Sequence, residues 1–78
     1  MDEIVADREL DARGLFCPLP VLKARRELRT MEPGQILRVH STDKSAEGDF
    51  KAMCETAGLD YLGMSVDGRV LTFDIRKR

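Results

Sequence analysis

The sequence has 78 residues, of which 42% are hydrophobic and 35% are charged, and its formal net charge is −1. This length suits one domain, and the near-neutral charge argues against nonspecific nucleic-acid binding. No apolar run approaches the ~20 residues of a membrane span, and the acidic N-terminus lacks the apolar segment of a signal peptide. We therefore expect one cytoplasmic domain over residues 1–78, with residues 1–7 flexible and no membrane contact.

The first half of the sequence predicts a strand, a helix and a second strand. Polar and apolar residues alternate over residues 9–13, which is typical of a short strand. Over residues 18–31 apolar residues recur three and four positions apart, which indicates an amphipathic helix. Its predicted apolar stripe consists of Val21, Ala24, Leu28 and Met31. Pro33-Gly34 ends this helix, and residues 35–41 predict the second strand.

The second half predicts a second helix and a hairpin. Several N-cap candidates at residues 42–45 precede a helix that ends near Gly58, with an apolar stripe of Phe50, Met53, Cys54 and Ala57. Residues 60–66 and 69–76 predict strands joined by Asp67-Gly68, a strong hairpin signal. The order βαβαββ predicts an α/β fold, specifically an α+β two-layer sandwich. Its mixed four-stranded sheet is expected to be covered on one face by the two helices.

Cys17 lies in the segment Phe16-Cys17-Pro18-Leu19-Pro20, at the predicted start of the first helix. Proline is well tolerated at the first helical position, so we expect Pro18 there and Cys17 at the N-cap. The free N–H groups and the dipole of a helix N-terminus favour a thiolate. The segment therefore predicts a reactive cysteine with a lowered pKa, the alternative being a cysteine buried as a small hydrophobe.

The second cysteine, Cys54, falls on the apolar stripe of the second helix, so core packing is expected, with a resolving thiol as the alternative. The sequence has no Cys-x-x-Cys pattern, because position 20 is proline. A zinc site would require Cys17, Cys54, His40 and a carboxylate to converge without the close ligand pairs of structural sites. We expect no metal and no cofactor.

Charged residues near Cys17 allow two interpretations each. The basic residues of the first helix either form a solvated face or dock an acidic partner; they are Lys23, Arg25, Arg26 and Arg29. Asp11 and Asp43 fall at the carboxyl ends of two predicted parallel strands, where ligands gather in open α/β sheets. Either they lie near Cys17 as carboxylates of the site, or they perform the turn and cap chemistry that is routine for aspartate, which we favour.

Residues 10–22, LDARGLFCPLPVL, resemble the opening of the TusA/SirA-like family of sulfur carriers. The hallmark of that family is Cys-Pro-x-Pro preceded by Leu-Asp-x-x-Gly, and the resemblance extends to Lys77. It implies a two-layer sandwich in which sulfur is carried as a persulfide on the motif cysteine, here Cys17. The motif residues that would present this sulfur are Asp11, Gly14, Pro18 and Pro20.

The resemblance implies a sulfurtransferase-type carrier that relays sulfane sulfur rather than a complete enzyme. Its partners would be a protein donor of the cysteine desulfurase or rhodanese type and a protein acceptor, in tRNA thiolation, cofactor maturation or sulfur metabolism. We expect a monomer without direct nucleic-acid contact. Two other functions stay open: a noncatalytic protein-interaction or redox-regulatory module, and a small RNA-binding domain.

Overall fold

A computed structural model describes residues 4–78 of the protein. Its elements are β1 (Arg8–Ala12), α1 (Leu19–Arg29), β2 (Ile36–Ser41), α2 (Ala46–Ala57), β3 (Asp60–Asp67) and β4 (Val70–Arg76). The predicted βαβαββ order and mixed four-stranded sheet are confirmed. Neither helix within residues 4–78 is long and apolar enough to cross a membrane.

The four strands lie in the order β1-β2-β4-β3. β1 and β2, which are joined through α1, are parallel, and Leu10 lies opposite Val39. β4 is antiparallel to both β2 and β3, with Phe73 opposite Val39 on one side and Met64 on the other. The last strand of the chain therefore lies inside the sheet, between two strands that precede it in sequence.

The core lies between the two helices and one face of the sheet. On β2 and β4 the residues of this face alternate with polar ones and are buried; they are Leu37, Val39, Ser41, Phe73 and Ile75. α2 contributes Phe50, whose ring centroid lies 4.7 Å from that of Phe73. The opposite face is polar, and there Arg38 forms an ion pair with Asp74 at 2.8 Å. Both helices thus cover the same face, as predicted.

Each helix buries one stripe. In α1 the buried residues are Pro20, Ala24 and Leu28. In α2 they are Ala46, Phe50, Met53 and Cys54, whereas Ala57, predicted on the stripe, is exposed. α2 ends at Gly58, which adopts a left-handed φ of 70° and donates its N–H to the Cys54 carbonyl. This glycine cap ends α2, and Ala57, its last residue, lines the cleft between the helices rather than the core.

The predicted hairpin is present, but its loop is shifted by one residue. Asp67 belongs to β3 and pairs with Val70, which leaves Gly68 and Arg69 as the two loop residues. Gly68 has a φ of 61°. A two-residue loop with glycine at its first position is favoured between twisted antiparallel strands, because only glycine adopts the positive φ there freely.

Residues 4–7 contact β2. The Asp7 N–H donates to the Ile36 carbonyl at 2.8 Å, and the Asp7 carboxylate accepts from the Ile36 N–H at 2.7 Å. The Arg38 guanidinium donates to the Ile4 carbonyl at 2.9 Å. The rest of the segment expected to be flexible, residues 1–3, lies outside the described residues.

Candidate functional site

Cys17 is exposed and lies in the connection between β1 and α1. α1 begins at Leu19 with Pro18 at its N-cap, so the prediction that Cys17 occupies the N-cap is wrong by one residue. The Leu19 N–H donates to the Phe16 carbonyl at 2.9 Å, which closes a turn through Cys17 and Pro18. The Cys17–Pro18 peptide bond is cis. This turn, rather than the helix itself, presents the sulfur.

The first turn of α1 has fewer free N–H groups than predicted. The Leu19 N–H is used by the preceding turn, and Pro18 has no N–H. Pro20 has no N–H and is buried in the core near the start of the helix. Pro20 therefore anchors the first turn by packing, while the helix end supplies little hydrogen bonding to an anion beside Cys17.

Asp43, which follows β2, fixes the backbone of Cys17. The Cys17 N–H donates to Asp43 Oδ2 at 2.6 Å. The other carboxylate oxygen accepts from the N–H and the hydroxyl of Ser45, at 3.0 and 2.8 Å. Together the bonds from Ser45 and from Cys17 hold the pKa of Asp43 below its ordinary value. The structure thus brings Asp43 into contact with the Cys17 backbone and keeps it ionised.

A second tie holds the start of the same loop. Gly14 has a φ of 81°, and its N–H donates to the Thr42 hydroxyl at 2.9 Å. No atom would obstruct a side chain at this position, so the positive φ is the reason for glycine here. Thr42 and Asp43 are adjacent in sequence, and the segment after β2 therefore fixes the loop at two points.

Asp49 of α2 faces the sulfur across a cleft between the two helices. Cys17, Arg25 and Asp49 line this cleft, which has a volume of about 300 Å³. The Asp49 carboxylate is the largest influence on the Cys17 thiol and raises its pKa, as do desolvation and the charge of Asp43; Ser45 has the opposite effect. The prediction of a lowered pKa is wrong, because it counted the cations of α1 and not the carboxylates after β2 and on α2.

Of the two interpretations of Asp11, the turn role agrees with the structure, because its carboxylate lies on the open face of the sheet and not beside Cys17. Its carboxylate accepts from the Arg13 side chain at 2.9 and 3.0 Å and from the Arg13 N–H at 3.1 Å. These bonds lower the pKa of Asp11 to about 2. Asp11 lines a shallow cleft with Glu9 and His40. The Nε2 atom of His40 lies 2.8 Å from Glu9 Oε1, and its Nδ1 atom lies 3.0 Å from Thr72 Oγ1.

The four basic residues of α1 are all exposed; they are Lys23, Arg25, Arg26 and Arg29. None of them forms an ion pair with a carboxylate within residues 4–78. Arg25 alone among them lines the cleft with Cys17. Their charges are therefore unneutralised by the described part of the chain and available to a partner.

Three exposed apolar side chains lie within five positions of Cys17 in sequence, and the sequence did not lead us to predict them as a surface. Phe16, Leu19 and Leu22 are 73%, 46% and 52% exposed, and we call them the apolar patch. They recur every three residues, and none of them belongs to the buried stripe of α1. Large apolar residues outside the predicted stripe were the sequence signal for an exposed apolar surface. Large apolar residues exposed together beside a reactive group are typical of an interaction surface.

Cys54 packs in the core, as predicted. It is 3% exposed, and burial, with the charge of Asp60, raises its pKa to about 11. Cys54 lies in the core, Cys17 lies at the surface and His40 lies on the opposite face of the sheet. The three residues therefore do not converge on one zinc site. Within residues 4–78 no group of three or more histidine, cysteine, aspartate or glutamate side chains is placed to hold a metal ion.

Comparison with known proteins fits this geometry. The family model described as sulfurtransferase TusA matches residues 8–77. The chain belongs to the TusA family. It is 42% identical to YrkI of Bacillus subtilis over 72 residues, covering 92% of this chain and 96% of that protein. It is 41% identical to the sulfur carrier protein TusA of Allochromatium vinosum over 71 residues, covering 91% and 93% of the two chains.

The fold comparison agrees with the family. The crystal structure of a SirA-like protein from Desulfitobacterium hafniense matches with a TM-score of 0.72 and 28% identity, covering 88% of this chain and 95% of that one. Membership of the TusA family supports a sulfur-carrier role, and a carrier of this family works with protein partners in a sulfur relay.

Proposed function

We propose that this protein accepts sulfane sulfur on Cys17 as a persulfide and passes it to an acceptor protein. The observation that carries the proposal is the placement of Cys17. Its side chain is exposed, its backbone is held by Asp43, and it borders an open cleft. A terminal sulfur at this position is accessible to the thiolate of a second protein and is presented with little loss of conformational freedom.

The transfer consists of two thiol–persulfide exchanges. In the first, the Cys17 thiolate attacks the outer sulfur of a donor persulfide, and the donor's sulfur–sulfur bond breaks with release of the donor thiolate. In the second, an acceptor thiolate attacks the outer sulfur on Cys17, and the Cys17 thiolate leaves. Each step forms one sulfur–sulfur bond and breaks one, so neither consumes an oxidant or a reductant.

The carboxylates beside Cys17 would control when it reacts. Because Asp49 and Asp43 favour the protonated thiol, the free carrier is a weak nucleophile at neutral pH. A partner that places a cationic group beside these carboxylates would lower the Cys17 pKa and release the thiolate. The carrier would thus become reactive mainly within a complex.

The apolar patch and the basic residues of α1 are the proposed docking surface. A partner that fits it presents an apolar centre with an acidic rim, because the arginines around Leu22 are unpaired within the described chain.

The donor is a cysteine desulfurase or a rhodanese-type protein, and the acceptor serves tRNA thiolation, cofactor maturation or sulfur metabolism. We place the monomeric carrier in the cytoplasm, where thiols stay reduced.

The experiment is loading by a cysteine desulfurase with cysteine as sulfur source, followed by intact-mass measurement. Wild type should gain the mass of one sulfur atom, Cys17→Ser should not, and Cys54→Ser should load as wild type does. Addition of an acceptor protein should remove the extra mass. A wild type that gains no sulfur on Cys17, or keeps it in the presence of every acceptor protein tested, would contradict the proposal.

Other measurements separate the two alternative functions. A redox-sensing cysteine has a low pKa, which the raised pKa of Cys17 disfavours. A noncatalytic interaction module would bind its partner equally well after Cys17→Ser, and no sulfur would pass. An RNA-binding domain would show RNA affinity that falls steeply with salt.

A further inference from the structure

The cleft between α1 and α2 has the properties of a small-molecule site. Its volume of about 300 Å³ is at the lower end for such sites, about 300–1,000 Å³. Apolar side chains form much of its lining, among them Val21, Ala52 and Met53. Cys17 lies in the same lining, so a ligand in the cleft has its atoms beside the sulfur.

Two opposite charges line the cleft without pairing. Arg25 comes from α1 and Asp49 from α2, and they form no ion pair with each other or with another side chain within residues 4–78. The Asp49 carboxylate accepts a hydrogen bond from the Ser45 hydroxyl at 3.5 Å. A guanidinium binds a carboxylate through two parallel hydrogen bonds, and a carboxylate accepts from an ammonium group. This pair of charges is therefore complementary to a zwitterion.

We propose that the cleft binds the persulfide of a free amino acid of the cysteine class, with its carboxylate on Arg25, its ammonium on Asp49 and its sulfane sulfur against Cys17. The inference rests on the proposed function, since Cys17 must accept sulfane sulfur. It adds a free zwitterionic persulfide as a direct source of sulfur that needs no protein donor.

The reaction is balanced without a further reactant. The Cys17 thiolate attacks the outer sulfur of the bound persulfide and forms a new sulfur–sulfur bond. The bond between the two sulfurs of the ligand breaks, and its electron pair stays on the inner sulfur. That sulfur takes up the proton that Cys17 has lost, so a thiol and a persulfide become a persulfide and a thiol.

The ligand would also activate its own acceptor. The charged groups that face Cys17 are Asp43 after β2, Asp49 on α2 and Arg25 on α1. An ammonium group on Asp49 neutralises a charge that keeps Cys17 protonated. Binding of the zwitterion therefore favours the Cys17 thiolate, whereas a persulfide without an ammonium group leaves the charge of Asp49 in place.

The test compares loading by two persulfides, that of cysteine and that of 2-mercaptoethanol, which has neither an ammonium nor a carboxylate group. Rates are followed by intact mass and divided by the rates with a small free thiol, which removes differences in intrinsic reactivity. The wild type should prefer cysteine persulfide by at least about tenfold, because two charge-assisted contacts are involved. Arg25→Gln and Asp49→Asn should each bring the ratio close to one. The matched control is Arg69→Gln, at an exposed arginine in the loop between β3 and β4 that does not line the cleft, and it should keep the wild-type ratio.

Binding without chemistry provides a second measurement. S-methylcysteine keeps both charges but cannot transfer sulfur, so it can be titrated into Cys17→Ser while backbone amide shifts are recorded. Saturable shifts at Ala52 and Thr56 that disappear in Arg25→Gln support the site. The uncharged methyl thioether of 2-mercaptoethanol should produce none.

Two outcomes would overturn the inference: equal normalised rates for the two persulfides in the wild type, or a preference that survives Arg25→Gln. Either result leaves the carrier function standing if a protein donor still loads Cys17. Failure of Cys17 to accept sulfur from protein donors and from both persulfides would instead remove the proposed function itself.

Discussion

The backbone N–H of Cys17 donates to the carboxylate of Asp43 at 2.6 Å, across 26 positions of sequence. This bond places the cysteine, while the charge of the same carboxylate disfavours the Cys17 thiolate. One residue therefore influences both where the sulfur lies and whether it is ionised. Asp49, which lies on α2, influences only the ionisation of the thiol.

Asp49→Asn should lower the pKa of the Cys17 thiol, because it removes a negative charge beside it. The midpoint of the iodoacetamide alkylation rate against pH should move to lower pH, and the rate at pH 7 should rise. Glu55→Gln is the control, an exposed carboxylate of α2 that does not line the cleft. A midpoint that stays fixed or moves to higher pH would contradict the assignment.

Gly14→Ala and Gly48→Ala should change stability in opposite directions. Gly14 has a φ of 81°, so alanine there should lower the free energy of unfolding by about 1–2 kcal/mol. Gly48 lies in α2 with open space around it, so alanine there should raise that free energy by about 0.5–1 kcal/mol. Urea denaturation measures both, and a neutral Gly14→Ala would show that the loop relaxes without glycine.

Asp11 should titrate at about 2, and Arg13→Gln should raise its pKa towards the ordinary value of about 3.9. Since the folded-state pKa is the lower one, the stabilisation is complete above about pH 4 and is lost as the pH falls towards 2. NMR titration of the carboxyl carbon gives both values.

Asp11→Asn should leave loading of Cys17 intact, because Asp11 lies on the other face of the sheet. A loss of loading in folded protein would give Asp11 a role at the sulfur.

Leu22→Ser should slow loading from a protein donor by about tenfold, as expected when a central apolar contact of an interface is lost. Loading by inorganic polysulfide should be unchanged, because it needs no docking. Val66→Ser is the matched control, since Val66 on β3 is 60% exposed and lies outside the apolar patch. Equal effects of the two variants would show that the patch is not the docking surface.

Reversal of Arg26 and Arg29 to glutamate should slow association with an acidic partner at low salt. Added salt should slow the wild type towards the variant, since exposed charges act mainly on association rate and are screened beyond about 8 Å at 0.15 M. Stopped-flow binding to a donor protein measures this. Identical rates at low salt would mean that these arginines are only solvated.

The local pattern of the sequence was sufficient to predict the order of elements and most of the core. Alternation in β2 and the apolar spacing of both helices determine which residues are buried. The same alternation contains a signal that was not used: if Leu10 and Ala12 face the helices, Asp11 faces away from them. The sequence alone therefore contained enough to choose the turn role of Asp11 over a place beside Cys17.

The protonation of Cys17 was not predictable in the same way. The residues that raise its pKa lie 26 and 32 positions later in sequence, and only the packing of α2 against α1 brings Asp49 to the sulfur. The start of α1 was also misplaced, because the turn closed by Leu19 on Phe16 depends on main-chain bonds that residue types do not reveal. The effect of charges from separate elements on the pKa of Cys17 can be predicted only when the fold is known.

The interior position of β4 has a consequence for biosynthesis. Until residues 70–76 have left the ribosome, β2 has one neighbouring strand and β3 has none, and Phe73 and Ile75 are missing from the core. Thr42 and Asp43, which hold the loop around Cys17, directly follow β2. A nascent chain therefore cannot hold its cysteine in the observed position until all four strands have been made.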